Sequence, residues 1–426
     1  MQSYASLQID APQTDAMASL FNFSNILRVL KQPNYGLYAA GNIISLIGFW
    51  MRKVGVGWLT WELTGSGAWL GIIAFADMFP VVVFAPVAGA ITDRWEPAKV
   101  IKLAQILIIS HGLALFFLTA GDIITIEILL VLEVALGFFS ALDQPARLAI
   151  IPMLVGRRDL SAAVAIGSVS FNTAQFIGPA VAGAIILFAG VAGTFAANAA
   201  AYMLFLVIMF RVRVITKAQT APAQGRSILG GLADGIRYAA NHPGISSALI
   251  MITAIALFAR PFFELFPGFA DAVFEAGPKG LAILTSSAGA GAIVCGLWLA
   301  QRGDPAGLPR VIERSFLIAS IALVVFLSTD LLWVAAPAVV VVGFCISSVG
   351  VGTQIRLQTS VDSDVRARVL SLYVVLFRAV PAFGALIMGA ASESLGLKVP
   401  VAVGAGLTFL VFAWASLRRR GKAADE

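Results

Sequence analysis

Apolar runs long enough to cross a bilayer recur along the chain, each closed by glycine, proline or charge. About 20 residues rising 1.5 Å each traverse the hydrocarbon, so such runs predict membrane helices. Twelve fit, at 36–61, 68–91, 99–120, 123–144, 162–189 and 194–210, then 245–269, 278–300, 311–329, 331–351, 368–391 and 398–416. The turns at 121–122 and 330 are short and make tight hairpins.

Polar positions between the runs orient them, because Lys and Arg near span ends stay on the cytoplasmic side. With the N-terminus inside, the basic residues concentrate in alternate loops, from Arg28 and Lys31 through Arg94, Lys99, Arg147 and Arg211 to Arg418, Arg419 and Arg420. The outer loops hold Lys279 and Lys398, while Arg52, Lys53, Arg260 and Arg378 fall inside spans. An even span count with both termini cytoplasmic satisfies this bias at every loop. The longest loop, with its flexible TKAQTAPAQG stretch and an amphipathic helix candidate at 227–240, divides the spans six and six. The expected organisation is a cytoplasmic N-terminal segment (1–34), a six-helix bundle (35–210), a cytoplasmic linker (211–244), a second six-helix bundle (245–416) and a cytoplasmic tail (417–426). The halves echo each other weakly: RLAIIPMLVGRRDL precedes the span with Pro179 and Gly183, and RLQTSVDSDVRARVL the one with Pro381 and Gly384.

Composition agrees. Of 426 residues, 59% are hydrophobic and 12% charged, with mean hydropathy +0.91, which excludes a soluble globular domain. The net charge of +6 is a consequence of topology and implies no nucleic-acid partner. Cys295 and Cys345 lie in apolar spans and predict neither disulfide nor metal site. Residues 1–19 are polar, so no cleavable signal peptide is expected. Residues 19–33 gather Phe23, Ile26, Leu27 and Leu30 beside Arg28 and Lys31, as in a lead-in helix or one lying along the membrane surface.

Several stretches resemble the major facilitator superfamily. GAITDRWEPAKVI, with Gly89, Asp93, Arg94 and Lys99, resembles its loop signature between the second and third spans. There Asp93 would meet a helix N-terminus or an arginine such as Arg147 and latch the inner gate. SFNTAQFIGPAVAGAII resembles the antiporter motif through Gly178, Pro179 and Gly183, with Ser170, Ala174, Gly178 and Ala182 forming a small-residue packing face. GWLTWELTGSGAWLG, DQPARLAIIPMLVGRRDLSAA, LADGIRYAANHPGI and DVRARVLSLY are similar to the drug and siderophore exporter branch, which includes macrolide and enterobactin exporters. The resemblance implies an all-α integral membrane fold of two six-helix bundles and export by proton antiport. In EVALG, Glu133 stands where many such antiporters carry arginine, so their proton relay does not transfer intact.

Charges inside hydrocarbon cost roughly 2.5–3.5 kcal/mol each on insertion scales and so face a cavity or a partner. Arg378 lies too deep to snorkel. Arg52 shares a helical face with Asn42, Ser45 and Phe49; Asn172 and Gln175 are polar at midspan; Arg260 and Glu264 are spaced as an ion pair around Pro261. Asp77, Glu133 and Glu264 are the proton-coupling candidates, since burial raises a carboxylate's pKa towards neutrality. Asn42, Ser45, Phe49, Arg52, Asn172, Gln175, Arg260 and Arg378 are the cargo-cavity candidates, with Phe75, Phe258, Phe262 and Phe377 as further apolar wall. Lys53, below Trp58, is expected to snorkel outward, and His111 to pack against a neighbouring helix. The expected activity is alternating-access export of an amphipathic, anionic or zwitterionic small molecule coupled to protons, by a monomer in the cell inner membrane without cofactor. An uptake or lysolipid-moving carrier shares the architecture. A polytopic enzyme is disfavoured by two histidines and the lack of a phosphate-cradling loop.

Overall fold

The computed structural model describes residues 23–213, 236–302, 307–361 and 363–424, and no strand occurs among them. Most of the N-terminal segment and of the 211–244 linker, including most of the 227–240 helix candidate, lies outside the described residues. A short helix α1 (Phe23–Leu30) leads into α2 (Pro33–Thr64), α3 (Gly67–Arg94), α4 (Pro97–Ala120), α5 (Ile126–Leu154) and α6 (Leu160–Arg211). The second half comprises α7 (Pro243–Phe258), α8 (Gly277–Arg302), α9 (Leu308–Leu327), α10 (Leu332–Ser360), α11 (Ser363–Leu395) and α12 (Lys398–Ala424).

Local chemistry sets the ends. Gly65 takes φ 58°, a left-handed cap that few other residues adopt cheaply, and Ser66 then caps α3 by accepting from the Trp69 amide. Proline opens α2, α4 and α7 within the first turn, where its missing N–H costs nothing. At 52 residues, α6 would be about 78 Å long if straight, twice what a bilayer needs. Gly190, at φ 68° and ψ 178°, breaks it into the two spans expected. After α7 the chain tightens into a 3-10 turn, Arg260–Leu265, and a π turn, Phe269–Val273, where Pro261 removes a backbone donor. Eight helices among the described residues are long and apolar enough to cross a membrane by length and composition. The long helices outside that group, α2, α5 and α9, carry interior charges such as Arg52, Glu133 and Arg314.

One boundary differs instructively. The fourth span was expected to end at 144, leaving Arg147 in a loop, yet α5 runs on through Pro145 to Leu154. Arg147 is held inside by Asp143, one turn earlier on the same helix.

The halves meet chiefly through α3 against α11 and α6 against α8. Near the α2–α3 turn these contacts are backbone-close: Gly67 and Gly71 sit on Gly389 and Ala385, and Gly183 on Ala282. Farther along, Gly289 abuts Gln175 and Phe176. At the opposite, basic end a methyl added to Gly89, Gly167 or Gly296 would meet open space. The two halves thus form a wedge, sealed at the α2–α3 end.

Candidate functional site

Between the halves lies a cavity of about 300 Å³, walled by Trp50, Phe171, Phe263, Phe266, Tyr373 and Phe377 and carrying Lys53, Asn172, Gln175, Arg260, Glu264 and Gln354 as its ionic and amide groups. A narrower cleft of about 30 Å³ adjoins it through Lys53 and Glu264 and is lined by Arg52, Asp77 and Glu133. That is room for one or two waters.

The charges occur in layers. Along α5, Leu129 belongs to one apolar cluster, Leu136 to a second, and Ala146 and Ile150 to a third. Glu133 falls between the first two and Asp143 between the second and third. On α4 the same order runs Leu115, His111, Ile108, Gln105, Ile101, and on α2 it runs Val56, Arg52, Phe49, Ser45, Tyr38. Side chains three or four residues apart share a helix face, so three helices in register stack apolar and polar layers in alternation.

In the first layer the Arg52 guanidinium donates to Glu133 Oε2 at 2.5 Å and reaches Asp77 Oδ1 at 3.4 Å. Arg52 and Glu133 are buried, at 2% and 1% side-chain exposure, whereas Asp77 keeps 18% towards the cleft. His111 Nε2 lies 3.6 Å from Glu133 Oε1. In the second layer Arg147 donates to Asp143 Oδ2 and Asn42 Oδ1, each at 2.6 Å, and to Ser45 Oγ at 3.0 Å, while Gln105 donates to the other Asp143 oxygen at 2.8 Å.

Across the wedge, Lys53 Nζ meets Glu264 Oε1 at 3.0 Å with both about a quarter exposed. Lys53 therefore turns inward to a carboxylate instead of snorkelling outward, and Glu264 pairs with it rather than with Arg260. Arg260 donates to the Phe377 carbonyl at 2.6 Å and lies 4.6 Å over the Phe377 ring. Arg378 donates to Gln144 Oε1 on α5. Neither of these two guanidiniums has a carboxylate as its hydrogen-bond partner.

The expected site residues are thus dispersed. Asn172, Gln175, Arg260 and Glu264 line the large cavity, and Arg52, Asp77 and Glu133 the cleft. Asn42 and Ser45 bind Arg147 instead. Phe49 packs on Trp50, Phe75 stacks on Phe79 against Phe383, and Phe262 is core, fully buried against Phe266, Phe269 and Phe326. Asp143, Gln105, Gln144 and Trp50 were not singled out from sequence. Only the i,i+4 spacing of Asp143 and Arg147 carried a signal. In the loop signature, Arg94 is exposed and Lys99 pairs with Glu96 at 3.2 Å. The Asp93 side chain lies outside the described set, and Arg147 is occupied by Asp143. Gly178 lies against Trp50 of α2 and Gly183 against Ala282 of α8, so the antiporter-like stretch packs on both its own half and the other.

Paired apolar bundles enclosing an aromatic-walled cavity that carries a few charged and amide groups define a membrane carrier. The transmembrane secretion effector profile matches residues 27–426, and the chain belongs to this family of major facilitator superfamily transporters, which are not enzymes. It is 24% identical over 370 residues to the staphyloferrin A transporter of Staphylococcus aureus, covering 84% of this chain and 90% of that one. It is also 24% identical over 374 residues to the multidrug efflux pump Tap of Mycolicibacterium fortuitum, covering 84% and 87%. A bacterial homologue of the human lysosomal transporter Spinster, solved inward-facing and unoccupied, shares the fold, with TM-score 0.73, 15% identity and coverage of 92% and 98%.

Proposed function

We propose that the protein is a proton-coupled exporter of an amphipathic, anionic or zwitterionic small molecule, of the drug or siderophore class, working by alternating access. The six-span units 35–210 and 245–416, joined by the 211–244 linker, rock about the cavity. Both termini face the cytoplasm, and a monomer in the cell inner membrane suffices. The basic end, where the wedge is open, then faces the cytoplasm.

The observation that carries the reading is the split between satisfied and unsatisfied charge around the wedge. Asp77 is the cleft carboxylate with a long, single ionic contact and access to water, which suits it to take and release a proton. Glu133, clamped at 2.5 Å, is its fixed neighbour, and Glu264 is freed only when Lys53 lets go. Arg260 and Arg378, bound to neutral groups, are free to take an anionic group of the cargo, with Tyr373 and Phe377 as its apolar bed. The relatives support this reading: the multidrug efflux pump Tap supports the direction, and Tap and the staphyloferrin A transporter together support the cargo class.

The test is transport in liposomes under an imposed proton gradient, with a panel of siderophores, antibiotics and lysolipids. It is repeated with Asp77→Asn, Glu133→Gln and Arg378→Ala. Gradient-driven export should be lost with Asp77→Asn. Retained, gradient-sensitive transport in all three variants removes the site assignment, and cargo accumulation in the opposite direction turns the protein into an uptake carrier.

A further inference from the structure

The first charged layer does not balance. Arg52 is its one cation beside two carboxylates, Glu133 and Asp77. The nearest other ionic groups, Lys53 and Glu264, cancel each other, as do Arg147 and Asp143 in the second layer. Tyr202, from α6, is the remaining titratable group within electrostatic reach. A layer with one excess negative charge, buried within the membrane, carries a large desolvation cost.

The same layer holds unpartnered polar atoms. Both ring nitrogens of His111, Oε1 of Glu133 and Oδ1 of Asn198 are buried without a hydrogen-bond partner. Asn198 Nδ2 donates to the Gly48 carbonyl at 3.0 Å, one turn before Arg52. Its Oδ1 faces Gly112, the residue after His111. Helices α2, α4, α5 and α6 therefore converge on an incomplete polar cluster, and buried polar atoms in proteins are rarely left so.

One proton resolves both deficits. On His111 Nε2, 3.6 Å from Glu133 Oε1, it changes one cation against two anions into two cations against two anions. A small approach of the ring then gives a charge-assisted hydrogen bond that uses two of the unpartnered atoms. We propose that His111 carries a proton in this state and is the residue that stores charge for the layer: the layer holds one exchangeable proton, on His111 when Asp77 is ionised and on Asp77 when His111 is neutral. His111 touches no cargo; it positions Glu133 and sets when Asp77 accepts a proton from the cleft. This deepens the proton-coupled reading and rests on it for its role in transport, although the charge state is measurable without transport.

The chain has two histidines, His111 and His242, and His242 is exposed at the far side of the linker, so His242→Asn leaves a single histidine signal. With ring-labelled ¹⁵N histidine in lipid nanodiscs at pH 7, the imidazolium signature is expected from His111 on the otherwise native background. Glu133→Gln and Asp77→Asn each remove one negative charge, and each should convert the ring to a neutral tautomer, with loss of the imidazolium signal. Lys53→Gln, outside the layer, should leave it cationic. A neutral ring in the native layer, or an imidazolium that survives either carboxylate substitution, overturns the proposal. If one carboxylate variant does not fold, the native spectrum and the other variant still decide. A neutral ring alongside intact gradient-driven export removes only this inference, whereas an imidazolium without any gradient-driven export removes the proton-coupled reading instead.

Discussion

The two halves handle charge in opposite ways. In the first, three small apolar clusters are separated by two charged layers, and each cation there has a carboxylate partner. The second half has one continuous core, reaching from Ile245 to Ala405 and built around Phe262, Phe266, Phe269, Phe316 and Phe326, and it extends across the seal to Met51 and Leu70. Two of its guanidiniums, Arg260 in the cavity wall and Arg378 outside that wall but bonded across to Gln144 of the first half, rest on a carbonyl, a ring and an amide. A cation satisfied by a buried carboxylate has little to offer a ligand, because exchanging partners would strand the carboxylate. A cation on neutral partners loses far less by switching. Under the proposed function, the first half holds the proton and the second holds the cargo's anionic group.

The sharpest way to break that contrast is to truncate one arginine on each side. Arg52→Ala leaves Glu133 buried and unpaired and should cost about 3–5 kcal/mol of stability, read as a large fall in unfolding temperature in detergent. Arg260→Ala gives up a bond to a carbonyl and a ring contact but strands no buried charge, and should lower the unfolding temperature clearly less. If both fall alike, the two halves do not differ as described.

Arg260→Ala should instead weaken cargo. Losing a hydrogen bond from a charged donor, worth about 1.5–3 kcal/mol, should raise the half-saturating cargo concentration roughly ten- to a hundredfold. An unchanged value would place the anion subsite elsewhere.

The seal offers a third handle. Gly71→Val inserts side-chain volume against the Ala385 carbonyl and the Leu386 backbone, an overpacking of about 1–3 kcal/mol that should shift the protein away from the state sealed at the α2–α3 end. Accessibility of a cysteine introduced at the α2–α3 turn should rise. The same substitution at Gly89, which faces open space, should leave that accessibility unchanged.

The Lys53–Glu264 bridge, about a quarter exposed to the cavity, should be weaker than the first layer. A double-mutant cycle with Lys53→Gln and Glu264→Gln should give a coupling below about 1 kcal/mol in unfolding, yet Glu264→Gln should alter the rate at which the halves exchange states. A coupling as large as that of Arg52 with Glu133 would make the bridge part of the static frame.

The smallest effect is outside the membrane. Arg28 donates to Asp159 at 2.6 Å and Gln32 at 2.8 Å, tying α1 to the start of α6. The hydrogen bond from Arg28 outweighs the desolvation that opposes it and, with the weaker help of the bond from Gln32, leaves the Asp159 carboxyl below the ordinary aspartate range. A carboxyl lowered by folding contributes stability above its unfolded pKa and loses it as pH falls through the folded value. Proteolytic cleavage near α1 should therefore stay constant from pH 8 down to about 5 and rise only below about 4.

Apolar run length, glycine and proline made the helices legible, because each acts locally: span edges from the sequence fall close to those of α3, α4 and α8. Arg147 shows the limit. Its charge marks a loop only if nothing pairs with it inside, and pairing depends on Gln105, Asn42 and Ser45 from other helices. Lys53 failed for the same reason, its partner lying on the opposite half. His111 was legible as a histidine facing a neighbour, but not as a ring beside a carboxylate, since α4 and α5 register is invisible in one chain. The midspan charges were found from sequence because hydrocarbon makes them conspicuous, whereas Asp143, at the expected end of its span, was not; their grouping needed the packing.

At Gly67, Gly71 and Gly389 the two halves touch main chain to main chain. Such a joint has no rotamers to exchange, so it has one closed geometry, and opening it must part whole helices together. Cargo preference is therefore adjustable by repainting the cavity walls, while the pivot on which they turn admits hardly any alteration at all.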